Sequence, residues 1–177
     1  MIQLYTMLWI LAIFFGIIGA MRGWNREIVS TAGIILALFT LFQLDPLLRG
    51  VFLVSVPREQ TFFVQVGLFG AIIYFAYQSR TIVDRGGPDN PNRTQNMVLG
   101  AVLGAVNGYL IWGAIWYFLD INEYPFSPLV IAPPPGSVSE QTLNAIPLVL
   151  LGGGAAASGE LLTIVVIVLF LLVLFII

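Results

Sequence analysis

Five stretches of the chain are apolar for at least 17 residues, and not one of its sixteen charged residues falls inside them. They run over Ile2–Met21, Ile28–Leu44, Thr61–Tyr77, Met97–Leu119 and Leu161–Ile177. A helix crossing the bilayer core needs about 20 predominantly apolar residues, within a range of about 17–25. The expected fold is therefore all-α: a polytopic transmembrane helical protein with a four-helix core and a C-terminal fifth transmembrane helix. The second, third and fifth stretches sit at the short end of the range, and Gln65 makes the third the least secure. Charged residues are only 9% of the chain, against about 25% in soluble domains. Too few charges remain to coat a water-facing surface. No Arg or Lys precedes the first run, so it reads as a retained helix rather than a secretory signal.

Ionisable groups inside a bilayer are costly and mark ion pathways, proton relays or counter-ions. Their absence from the five stretches argues against a proton-coupled transporter, a pump or a voltage sensor. It leaves a passive pore or a carrier for apolar compounds open. The chain has no Cys, hence no disulfide, iron–sulfur ligation or thiol chemistry, and no His, the commonest metal ligand and general base. No catalytic residue set and no metal site are expected, and no cofactor. The aromatic faces carrying Trp9, Phe14, Phe15, Trp112 and Trp116 read as lipid contacts and interface anchors, with pigment or quinone contact as the alternative. A net charge of -2 gives no reason to expect nucleic acid.

The connections differ in character. Arg22 to Glu27 is a short turn, and Asp45-Pro46 is expected to stop the second helix. Residues 78–96 are turn-rich, with Gly86-Gly87-Pro88 and Asn90-Pro91-Asn92; Asp84, Arg85 and Asp89 there read as a solvated loop. Residues 120–160 form a long connection rich in Pro and Gly, with a short helix expected near Ser139 to Leu151. It is apolar and aromatic, so it is expected in the membrane interface or against a partner. Basic residues collect in cytoplasmic loops. Placing the N-terminus outside puts five Arg in cytoplasmic connections (Arg22, Arg26, Arg80, Arg85, Arg93) and two outside (Arg49, Arg58). The expected topology has residues 78–96 cytoplasmic and residues 120–160 external. The domain division is 1–119 for the four-helix unit, 120–160 for the loop and 161–177 for the tail helix.

Small residues recur at helical spacing. Gly100, Gly104 and Gly108 form one stripe, and Gly16 with Ala20, and Gly19 with Gly23, form small-xxx-small pairs. Membrane helices gain nothing by hiding apolar groups from lipid; small residues instead let backbones approach and gain dispersion contacts. The expected use is packing of the first helix on the fourth, with homodimerisation through the stripe as the alternative. Leu at position 104 should overpack this seam, and Ala should be nearly tolerated. Asn107, near the middle of the fourth stretch, needs a hydrogen-bond partner and is expected to act as structural glue. The depth of Gln65 argues against pairing with it. No Walker-type basic ending follows the glycines, so a phosphate loop is not expected.

Two of these segments carry a family resemblance. Gly16-Ile17-Ile18-Gly19-Ala20-Met21-Arg22-Gly23, followed by Arg26-Glu27-Ile28, resembles the first-hairpin signature of the colicin V production (CvpA) family of bacterial inner-membrane proteins. Gly100 to Gly108 resembles its fourth-helix signature, where the family often has Arg at the position of Asn107. The resemblance covers roughly residues 1–119. It implies a four-helix domain of the cell inner membrane without established catalytic activity, associated with secretion or envelope functions, with Arg22, Arg26 and Glu27 as its cytoplasmic signature. The long loop and fifth helix go beyond that pattern and suggest a docking role.

Three functions compete on these grounds. The first is a non-enzymatic scaffold or secretion accessory that associates with other membrane proteins. The second is an accessory transmembrane subunit of a respiratory or photosynthetic complex, favoured by a tail helix with almost no polar face. The third is a small channel or carrier. The expected partners are membrane lipids and other integral membrane proteins or a second copy of the chain.

Overall fold

The computed structural model describes residues 3–78, 92–153 and 158–176. Four helices are long and apolar enough to cross a membrane. They are α1 (Leu4–Arg22), α2 (Trp24–Leu47), α3 (Arg58–Gln78) and α4 (Arg93–Ile121). Two short helices follow, α5 (Val138–Leu143) and α6 (Pro147–Gly152), and then α7 (Glu160–Ile176), which is apolar but shorter, at 17 residues. Arg80, Asp84, Arg85 and Asp89 of the expected turn-rich loop lie outside the described residues.

The turn expected over Arg22 to Glu27 contracts to one residue. Gly23, at φ 80° and ψ 163°, ends α1 and opens α2. A side chain there would be strained, and its Cβ would also strike the amide of Asn96. That amide instead accepts the Trp24 N–H at 2.9 Å, satisfying a donor at the start of α2. Glu27 therefore lies in the first turn of a spanning helix, one residue before the apolar stretch that begins at Ile28. The expected stop at Asp45-Pro46 is also corrected: Pro46 is inside α2, and the helix runs on through a π-helical turn, Leu48–Phe52. A proline lacks its own N–H and crowds the carbonyl four residues back; the π-helical turn that follows closes on Leu53 N–H to the Leu48 carbonyl at 2.7 Å.

α1 and α4 pack backbone to backbone. A Cβ on Gly104 would stand 2.9 Å from Gly19 Cα, and closer still to the Phe15 carbonyl oxygen. On Gly100 it would stand 3.0 Å from Gly23 Cα, and on Gly108 2.9 Å from Ala12 Cα. Gly16 has more room, its Cβ position being 3.3 Å from the Ala101 carbonyl. Because α1 of the same chain covers the stripe, it is not an open dimerisation face. The expected tolerance of Ala at position 104 is corrected too: real Cβ atoms do not approach backbone this closely. Cα–H···O contacts between such close helices add a second-order attraction.

α2 lies at the centre, in contact with α3, α4 and α7. Its Ile34, Ala37 and Leu38 are buried with Phe69 of α3 and Ala114, Trp116 and Phe118 of α4. Trp116, expected at the lipid surface, is fully buried, and its indole N–H donates to the Tyr124 hydroxyl at 3.2 Å. Phe15 packs edge-on against Tyr77, and Trp112 donates to the Leu4 carbonyl at 3.0 Å. Trp9 and Phe14 are the members of that set that face outward. Composition cannot separate these cases, because a buried indole with a partner is as apolar as an exposed one.

The connection after α4 folds back on the bundle. The single helix expected near Ser139 to Leu151 is broken in two, because Pro147 starts α6 where its fixed φ suits a first helical position. Ser137 caps α5 by accepting the Glu140 N–H at 3.2 Å. The ring of Pro147 lies over Gly113, and the ring of Phe42 sits between Gly152 and Gly159. Ile146, Leu148 and Leu162 are buried. α7 packs against the core through Leu162, Val165, Val166 and Leu169, one helical stripe, and exposes the opposite face.

The seam predicts a clear ranking. Gly104→Ala should destabilise by about 1–3 kcal/mol, the usual range for overpacking, and Gly104→Leu by more. Gly67→Ala, whose site has open space around it, should be neutral or stabilise by up to about 1 kcal/mol through helix propensity. Thermal aggregation of the variants in one detergent checks this; equal midpoints for the Gly104 and Gly67 substitutions would contradict the seam.

Candidate functional site

The four spanning helices meet at one carboxylate. Glu27 lies in the first turn of α2, where the helix dipole and free N–H groups favour negative charge. Its side chain is fully buried. Oε1 accepts from Arg22 Nη1 of α1 at 2.5 Å. Oε2 accepts from Asn107 Nδ2 of α4 at 2.7 Å and lies 3.5 Å from the Tyr77 hydroxyl of α3. The Arg22 guanidinium stacks over the Tyr77 ring, 4.4 Å from its centroid, and donates to the Tyr77 carbonyl and the Ser30 hydroxyl, each at 3.2 Å.

Asn107 answers its requirement for a partner twice. Besides Glu27, it accepts from the Thr31 hydroxyl through Oδ1 at 2.7 Å. That hydroxyl also lies 2.8 Å from the Glu27 carbonyl. Asn107 stands midway along α4, so the charged pair is tied to the middle of a spanning helix. Arg26, the third residue of the expected signature, offers its carbonyl to the Ser30 hydroxyl at 3.1 Å.

A second polar cluster ties the opposite end. Arg49 grips Asp45 through Nε and Nη2, the latter at 2.5 Å, and donates from Nη1 to the Ile121 carbonyl at 3.3 Å. Gln65 of α3 donates to Asp45 at 3.0 Å and accepts from Asn122 at 2.7 Å. Gln65 is thus buried and bonded, and α3 runs unbroken past it. Just beyond α4, burial raises the Tyr124 phenol above its ordinary pKa, and its hydroxyl donates to Asp120 at 3.1 Å.

The structure gathers Gly16, Gly19, Gly23, Gly100, Gly104 and Gly108 on the α1–α4 seam, and places Arg22, Glu27 and Asn107 beside it. Ser30, Thr31 and Tyr77 escaped sequence reasoning. A usable signal existed for two of them, since Glu27, Ser30 and Thr31 fall at i, i+3 and i+4 on one face of α2. Tyr77 carried no such sign. Both oxygens of Glu27 are engaged, so the arrangement is suited to holding four helices in register.

Comparison with protein families matches residues 6–132 to the model of the colicin V production protein family. No curated protein and no solved structure matches the chain.

Removing one partner of a buried ion pair leaves the other uncompensated and typically costs about 3–5 kcal/mol. Glu27→Leu should approach that loss, because Arg22 is mostly buried (20% exposed). Asn107→Leu should cost less, as membrane hydrogen bonds average about 0.6 kcal/mol. In a double-mutant cycle of thermal midpoints, Arg22→Met with Glu27→Leu should be less damaging than the sum of the two single changes. Strict additivity would show that the pair is not coupled.

Proposed function

Because the chain belongs to the colicin V production protein family, we propose that it is a non-enzymatic scaffold or accessory in secretion or envelope processes. It associates with other integral membrane proteins. The observation that carries this reading is the engagement of the Glu27 carboxylate of α2 by groups from the three other spanning helices. The polar chemistry inside the membrane is spent on holding helices together, which leaves lateral surface as the means of acting on other proteins. A small channel or carrier is the less favoured reading, because the mutual pairing of Arg22, Glu27 and Asn107 turns this cluster on itself.

The protein sits in the cell inner membrane with its N-terminus external. Residues 78–96 face the cytoplasm and residues 120–160 face outward, in keeping with the five-to-two distribution of Arg. The tail helix is the docking element. α7 uses one stripe to hold α2 and leaves Leu161, Ile164, Val168 and Leu171 outward, which also suits an accessory subunit at the rim of a respiratory or photosynthetic complex.

Native gels and mass spectrometry after mild-detergent extraction test the reading. The protein should migrate in an assembly with defined membrane proteins, and deletion of residues 159–177 should release it while the remaining domain stays inserted. Isolation of the full chain as a monomer would overturn the scaffold proposal, and co-migration with cytochromes or pigment proteins would select the complex-subunit reading. Orientation is tested separately on a chain that has no native Cys. In intact cells an impermeant thiol reagent should label Leu129→Cys and not Thr94→Cys; the reverse pattern would invert the topology.

A further inference from the structure

We propose that the π-helical turn after α2 and the residues following it, 48–56, are immersed in lipid, so that the membrane boundary lies beyond the Asp45–Arg49 pair. In sequence that pair marks the end of the apolar stretch. In the fold it faces inward. Asp45 bonds to Arg49 and Gln65, and Arg49, although its side chain is 39% exposed, directs Nε, Nη1 and Nη2 to Asp45 and the Ile121 carbonyl.

The outward surface passes this pair without changing character. Leu36, Leu44, Leu47 and Val51 are exposed and, with Thr40, follow one another at intervals of three or four residues. They make a single stripe along the helix. Leu36 is at mid-span, where the surroundings are acyl chains, and the stripe continues from there into the turn. At its end Val51, Phe52 and Val54 are 63%, 67% and 70% exposed. The other outward polar groups on this face, Gln43 and Ser55, are neutral, and outward charge returns with Arg58 and Glu59 at the start of α3.

In water such exposure would forfeit about 25 cal/mol for every Å² of apolar surface. In the lipid interface it anchors the protein, because continuity with the lipid-facing stripe of α2 gives these side chains hydrocarbon to enter. The occupant is therefore lipid, and the Asp45–Arg49 pair lies within the apolar envelope.

The test uses the full chain in phospholipid vesicles, with an environment-sensitive dye on a single introduced cysteine. Phe52→Cys and Val54→Cys are the probes. Ile13→Cys, outward on mid-α1, is the lipid standard, and Glu140→Cys, exposed on α5, is the water standard. Brominated acyl chains should quench the dye at position 52 or 54 at least half as strongly as at position 13, with emission shifted to the blue. Quenching by aqueous iodide equal to that at position 140, with no response to brominated lipid at either probe, would overturn the proposal. The same result is expected if this surface serves a protein partner missing from the vesicles.

Discussion

Two apolar helices in a bilayer gain little by touching, because the lipid each displaces is as apolar as its neighbour. The close approach of the α1 and α4 backbones is thus the interaction on which the rest of the fold depends. Gly19, Gly100, Gly104 and Gly108 each leave room for backbone atoms of the other helix where a Cβ would stand. Dispersion falls steeply with distance, so contact at this range replaces the missing hydrophobic drive. The seam also fixes where α1 ends. Gly23 turns beside Gly100 and Asn96, which delivers Arg22 to the polar cluster and starts α2 at Trp24.

The polar clusters supply what the seam lacks. Glycine contacts set distance but constrain the rotation of α2 and α3 only weakly. Glu27 takes bonds from three other helices near one end of the bundle, and Asp45, Gln65 and Asn122 join three segments near the other. A helix pinned at two levels has one rotation and one tilt. The ions are tolerable at these positions because each finds a charged partner and further donors or acceptors, which offsets the loss of water. The site is therefore architecture first, and its functional bearing runs through the shape it maintains.

The segment after α4 is built differently. α6 and α7 are held by interlocking shapes rather than charges, with Pro147 over Gly113 and Phe42 between Gly152 and Gly159. α5, α6 and α7 pack on α1, α2 and α4, inside the region shared with the family, while they themselves lie beyond residue 132, where that region ends. This arrangement attaches an additional helix to the four-helix bundle without entering its polar interior.

The sequence by itself determined the class. Length and uninterrupted apolarity marked five stretches as spanning helices, because an unpaired backbone is too costly in lipid, and four of them fold as helices long enough to cross. Spacing alone aligned the glycines, and the first-hairpin and fourth-helix motifs carried the family. Tertiary structure decided the rest, at Glu27, Pro46, Gly104 and Trp116. Glu27 could enter a span only because Arg22, Tyr77 and Asn107 arrive from helices distant in the chain. Trp116 could be buried because Tyr124 takes its N–H, and Gly104 excludes even a methyl group because of where the Phe15 carbonyl falls. A residue's own chemistry states its cost in the membrane; whether that cost is met depends on partners that only the folded chain brings near.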